Sequence, residues 1–231
     1  MTGKSTAHRY ALILIAAITA SLLLVLSWPR LKASLHYLPV DTAISKYRES
    51  REIDTGQLGG LIERAGESIA IHDHYRYWDG LSELHVLDSQ NPARSFWERR
   101  RALEESISAA EKAVRRAPTK PRTWLRIASA KEYLAYPSGQ VIPALKMSIL
   151  TGRVEPTLML TRLELGLRYL HMMDAEGIHL VRDQAVLTWT TQKRPMLKRI
   201  ESGHLGLALL REVMGGSNQA IISDIEGHFD E

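Results

Sequence analysis

The chain has 231 residues, with 30 Lys and Arg against 26 Asp and Glu, and no cysteine. The missing cysteines exclude disulfide staples, Cys-ligated zinc and thiol catalysis together, and they fit an oxidising compartment. A formal charge of +4 is too small to support a nucleic-acid role.

The first strong signal is residues 11–28, ALILIAAITASLLLVLSW, an uncharged apolar run. As a helix it covers about 27 Å, close to the hydrocarbon thickness of a bilayer. Trp28 stands where an interfacial aromatic belongs, and Pro29 is expected to stop the helix. The competing reading is a cleavable signal peptide, because Lys4 and Arg9 form a basic n-region. The apolar run exceeds the usual length of about 7–15 residues, and no small-x-small cleavage site follows it. An uncleaved single-pass anchor is therefore expected. Within it, Ala16 and Ala20 have the small-xxx-small spacing that suits helix pairing.

The basic tail, residues 1–10, argues for a cytoplasmic N-terminus. Arg30, Lys32, Lys46 and Arg48 pull the other way, but long domains translocate largely regardless of charge. The expected location is a bacterial inner membrane, with the soluble domain on the periplasmic side.

Residues 29–54 read as a juxtamembrane linker or helix. From 55 to 214 apolar residues recur at three- and four-residue spacing, without strand alternation, so this domain is expected to be all-α. Asn91-Pro92 reads as an N-cap and first helical residue, opening a long helix to about Arg116. Pro118 and Pro121 bracket the next turn. Ser138-Gly139, Glu155-Pro156 and Asp174 mark later starts, and Gly215-Gly216 ends the last strong apolar segment. Residues 215–231 form an acidic tail, read as a short final helix or a loosely held end.

The short connections imply helical hairpins and prompt a test for repeats. Ala113 to Pro118, followed by Pro121-Arg122-Thr123-Trp124-Leu125-Arg126-Ile127-Ala128, resembles the junction between two tetratricopeptide (TPR) repeats. Trp124, Ile127 and Ala128 take the places of that family's first-helix Trp, Leu and small residue. The register recurs with Arg162, Leu165, Gly166 and Tyr169 after Pro156, and more faintly with Trp78, Leu81, Ser82 and His85. The spacings, 46 residues from Trp78 to Trp124 and 38 to Arg162, exceed the family's period of about 34. The resemblance covers residues 74–190 and implies a degenerate TPR-like hairpin solenoid, in which Trp78 fills a groove between helices.

A looser resemblance is to the VpsP-like proteins of bacterial exopolysaccharide biosynthesis. It is carried by the single anchor and by Leu150 to Pro156, Leu163 to Arg168 and Val181 to Ala185. That resemblance implies partners among polysaccharide synthesis or export proteins, and it supplies no catalytic motif.

Chemical motifs are scarce. P-loop, G-x-S-x-G, H-E-x-x-H and G-x-G-x-x-G patterns are all missing, so no catalytic residue, metal or cofactor is expected. His72-Asp73-His74 is the one metal-like cluster, and it falls at a predicted helix-helix turn, where polar residues cap ends. Tyr75 and Tyr77 could offer an aromatic contact surface.

Residues 94–126 carry ten Lys or Arg against four acids. Arg101 with Glu105 and Glu111 with Arg115 stand at i,i+4, so a solvated, locally paired face is the plain reading. The sharper one is an anion-facing or partner-facing surface of Arg94, Arg99, Arg100, Arg115, Arg116, Lys120, Arg122 and Arg126. Glu164 and Arg168 are expected to pair in the same i,i+4 way.

The expected function is a membrane-anchored, non-catalytic scaffold for other membrane or periplasmic proteins. A periplasmic assembly factor or chaperone is the alternative, and a glycan-acting enzyme with two converging acids is the third reading.

Overall fold

A computed structural model of the chain describes residues 3–50 and 53–229. The first two residues of the expected cytoplasmic tail, and Asp230 and Glu231 of the acidic tail, lie outside the described residues. Among the described residues there are ten α-helices and no strand. They are α1 (Gly3–Ser50), α2 (Leu58–Ile71), α3 (Tyr75–Ser89), α4 (Phe96–Arg116) and α5 (Pro121–Tyr133). α6 (Ser138–Thr151), α7 (Pro156–Arg168), α8 (Ala175–Glu201), α9 (Leu207–Met214) and α10 (Gln219–Gly227) follow.

α1 does not stop at Pro29. It runs unbroken through both Pro29 and Pro39 to Ser50, so the expected linker is the second half of one long helix. A proline inside a helix removes one hydrogen bond and crowds the preceding turn. Tertiary packing offsets that loss here. Ala33, Tyr37, Val40 and Ile44, spaced by three and four, are buried against α2 and α3 with Leu58, Leu61, Tyr77 and Leu84. The first half, with its side chains exposed from Leu12 through Leu31, is apolar and long enough to cross a membrane.

Beyond α1, each helix packs mainly on its neighbours in sequence: α3 on α4, α5 on α6, α7 on α8, with α4 on α5. The core is accordingly a succession of clusters rather than one centre. One joins α1 to α3, one lies between α4 and α7 around Ile127, Leu145 and Leu165, and one gathers α7 to α10 around Leu163, Trp189 and Met214.

Caps follow the chemistry of the junctions. α4 begins at Phe96, not at Pro92, because Ser95 forms a capping box with Glu98, while Asn91 closes the preceding turn through the Ala93 N–H. Asp174 caps α8 through the Gly177 N–H at 2.8 Å. Gly215, at φ +55°, ends α9 in a conformation that side chains resist.

At the positions where the sequence resemblance predicts a small residue, the packing is close. A Cβ on Gly166 would lie 2.7 Å from Val181 Cγ2 on α8. Ser82 is buried, with its Oγ 3.0 Å from that of Ser106 on α4. Ile127, Ala128 and Leu165 are buried as well.

The tryptophan places behave differently. Trp124 is half-buried and donates to the Pro118 carbonyl at 2.7 Å. Trp78, expected to fill a groove, lies half-buried across the end of α3 and α4. It donates to Asp73 at 2.7 Å and is covered by the Lys112 ammonium 4.4 Å from the ring centre. Tyr77, one residue earlier, takes the core position, because that face of α3 meets α1.

Candidate functional site

α3 runs parallel to α1, which fixes the domain relative to the apolar half of that helix. The contacts step along both helices together: Ser34 meets the Tyr77 hydroxyl at 3.0 Å, Gly80 faces Tyr37 and Ile44, and Arg48 holds Glu83. From Trp28 to Arg48 the helix rises about 30 Å. The N-terminal ends of α3 and α5 and the C-terminal end of α4 therefore lie toward the apolar half. The N-terminal end of α4 and the C-terminal end of α5 lie away from it.

Between α1, α3 and α5 sits a charged cluster. Arg126 on α5 donates to Asp79 Oδ1 at 2.8 Å, to the Asp79 carbonyl at 3.0 Å and to Glu83 Oε2 at 2.8 Å. Glu83 is gripped a second time by Arg48, whose Nε donates to Oε1 at 3.0 Å and whose Nη2 donates to Oε2. The Thr123 hydroxyl completes Asp79 at 2.6 Å. Burial pushes the Asp79 carboxyl up, but Arg126, the Thr123 hydroxyl and Arg48 outweigh it and hold it below the usual carboxylate range. Burial and the nearby Asp79 charge push the Tyr37 phenol well up. The ion pairs clamp three helices, and two of their members, Glu83 and Arg126, line the groove beside them.

The groove itself has three connected parts. A cavity of about 220 Å³ lies where α3, α5 and α7 approach, lined by Glu83, Val86, Arg126, Ser129, Leu158 and Thr161 among others. Val86, Arg126 and Ser129 also line the next part, of about 390 Å³, which extends over Leu103 to Arg99 and Tyr133. Arg99 and Tyr133 in turn border a third, of about 240 Å³, closed by Phe96 and Arg100. At this far rim stand three exposed aromatics: Phe96 at 66%, Trp97 at 74% and Tyr133 at 72%. Phe96 and Trp97 meet edge to face at 5.1 Å. Large aromatics left in water are the commonest anchors of protein interfaces.

The structure separates the basic residues that the sequence grouped. Arg126 is buried in the cluster and faces no external anion. Arg94 pairs with Asp88 at 3.0 Å and Glu98 at 3.4 Å, and Arg100 with Glu104 at 3.4 Å. Arg99 satisfies the carbonyls of Arg94 and Pro92 at 2.9 and 3.1 Å. Arg116 pairs with Asp73, and Arg122 bonds Thr157 at 3.0 Å near Glu155. Lys120 lies over the Tyr75 ring at 4.8 Å. Arg115 is exposed. Seven of these cations thus fall at the two ends of the domain, with Arg126 buried between them, and they form no single patch, because α4 carries Arg99 and Arg100 at one end and Arg115 and Arg116 at the other.

Tyr77 is only 4% exposed, packed on Tyr37 at 4.8 Å, so it is not a contact residue; Tyr75 is half-buried under Lys120. Expected local pairs also give way to pairs between helices. Glu111 holds Lys131 at 2.9 Å rather than Arg115. Arg168 reaches Glu132 at 2.9 Å, while Glu164 faces Arg199 at 3.1 Å. Of the three expected pairs, Arg101 with Glu105 forms as expected, at 3.0 Å.

His72 and His74 stack 5.9 Å apart in an extended turn, where His74 Nδ1 accepts from the Arg76 N–H and caps α3. No group of three or more metal-ligating side chains occurs among the described residues. The groove and its aromatic rim were not foreseen. Phe96-Trp97 directly after a capping-box serine was the available signal, since the first turn of a helix on a long loop projects its side chains outward. Comparison of the chain with protein-family models, with curated proteins and with solved structures gives no match.

Proposed function

We propose that this chain is a single-pass, membrane-anchored, non-catalytic interaction module of TPR-like construction. Its groove across α3, α5 and α7 would hold a helix or extended segment of a partner protein. The observation that carries this reading is the groove, whose parts share lining residues, ending at the exposed Phe96 and Tyr133 with exposed Trp97 beside Phe96. The groove combines an apolar wall with a rim of anchor-type side chains, as a helix-in-groove interface requires. The unbroken α1 supports the tethering half of the proposal. A stiff helix from the bilayer into the domain core holds the rim about 30 Å or more from the membrane, within reach of a neighbouring membrane protein's soluble part.

Scaffolding is favoured over glycan hydrolysis by the state of the acids. Glu83, which lines the groove, is bound by both Arg48 and Arg126, and the adjacent Asp79 is bound by Arg126, so neither carboxylate is free to meet a substrate. A setting in exopolysaccharide synthesis or export, in a bacterial inner membrane with a periplasmic domain, comes from the sequence resemblance and is proposed on that ground alone. The test is affinity purification of the tagged chain from native membranes with mass spectrometry. A small recurrent set of synthesis or export proteins supports the scaffold. A diffuse set of unrelated secreted clients points to the assembly-factor alternative.

A further inference from the structure

One face of α1 is left over. Ala33, Tyr37, Val40 and Ile44 face the domain, while on the opposite side Leu31, Leu35 and Leu38 are 51%, 63% and 57% exposed. Leu35 and Leu38 stand about 10 and 15 Å past Trp28, beyond the apolar run. Three exposed leucines on one stripe are costly to leave bare.

Their spacing is specific. Trp28, Leu31, Leu35, Leu38 and Thr42 alternate steps of three and four, the a/d pattern of a two-stranded coiled coil. In that register the buried residues facing the domain fall at c and f, so the domain occupies the outer side and leaves the seam open. The register continues into the apolar half as Ala17, Ser21 and Leu24, which puts small residues where membrane helices need close approach. Asp41 and Lys46 then take the g and e places, which face each other across a parallel pair; the Asp41 carboxylate, half-exposed, also holds Arg76 of its own α3 at 2.8 Å. Lys46 is exposed and makes no ion pair among the described residues. Beside the seam, Leu38, Pro39, Thr42 and Lys46 border a groove of about 720 Å³ closed by Ile53 and Leu61 of the following segment.

We propose that two copies of this chain pair in parallel through α1, along a seam of Trp28, Leu31, Leu35, Leu38 and Thr42. The pairing rests on the anchor part of the reading above, since a shared bilayer makes the two helices enter from the same side. It would present two grooves on one membrane-tethered unit, raising avidity for a repeated or dimeric partner.

The chain's lack of cysteine makes the test clean. Single-cysteine variants of the full chain, Leu31→Cys, Leu35→Cys, Leu38→Cys and, off the seam, Arg30→Cys, are oxidised in native membranes. Disulfide geometry restricts bridging to positions whose Cα atoms approach within about 7 Å. The expected result is covalent dimer from the three seam positions and at least several-fold less from Arg30→Cys. Equal yields at all four positions, no dimer from any, or adducts with a different protein would overturn the pairing. An alkaline wash separates the two readings. If the chain stays in the membrane and the seam gives no dimer, pairing alone fails. If the wash releases the chain, the anchor has failed, and the parallel seam falls with it.

Discussion

Arg126 and Glu83 meet at 2.8 Å with side chains only 9% and 11% exposed, and the same carboxylate is shared with Arg48 from the long helix. One acid thus ties α1, α3 and α5 together. Removing it takes the carboxylate from Arg48 and leaves the buried Arg126 held by Asp79 alone. Glu83→Ala should cost about 3 kcal/mol, the lower end for a broken buried pair because Arg48 is partly in water. For a chain of this size that lowers the thermal midpoint by roughly 6–12 °C. Thermal denaturation of the purified full chain checks it, and Glu83→Gln should lose less.

The same cluster sets an acid limit. Asp79 is held below its ordinary pKa in the folded state. A group with a depressed folded pKa contributes stability above its unfolded pKa of about 4, and that contribution is lost as pH falls through the folded value. Stability should therefore fall steeply below about pH 4. In Asp79→Asn that part of the slope should disappear, at the cost of lower stability near neutrality. Urea denaturation across pH 2.5–7 reads both.

Arg162 is buried without a carboxylate within bonding distance. Its Nε donates to Ser148 Oγ at 2.9 Å, and its two Nη atoms donate to the carbonyls of Gly152 and Ser148 at 2.7 and 2.6 Å. Burial pushes the guanidinium down to about 10, still charged at neutrality. The cation closes the C-terminal end of α6, where carbonyls lack helical partners. Arg162→Ala should cost about 3 kcal/mol or more, from the cavity and the orphaned carbonyls together. Arg162→Lys should not rescue it, since one ammonium cannot span both carbonyls. Chemical denaturation of the two variants decides this.

Gly80 is the point of closest approach between α1 and α3. A Cβ there would lie 1.6 Å from the Tyr37 hydroxyl and 2.9 Å from its ring carbon. Gly80→Ala should destabilise by about 1–3 kcal/mol. Tyr37→Phe in the same chain should recover part of that loss, which a thermal scan of the single and double variants measures.

Helix starts were legible at Pro121, Pro156 and Asp174, where the capping effects are local, but not at Asn91-Pro92, where Ser95 takes the cap of α4 instead. Pro29 misled, since the helix there is sustained by Tyr37 and Ile44 packing on a segment some 40 residues away in sequence. Charge pairing misled for the same reason. Glu111 had Arg115 one turn away, yet Lys131 on the next helix is the partner it takes. The groove was invisible because Ser129, Tyr133, Arg99 and Phe96 come together only when α4 and α5 lie antiparallel. The cluster of Arg48, Asp79, Glu83 and Arg126 spans too much sequence for any spacing rule to find.

The central claim is that the groove between α3, α5 and α7 holds a partner. A photo-crosslinking amino acid placed at Ser129, at Tyr133 and, as a control on the exposed face of α4, at Ser108 tests it in native membranes. The account predicts the same discrete adduct from Ser129 and Tyr133 and none from Ser108. No adduct from either groove position, or one indistinguishable smear from all three, would contradict it.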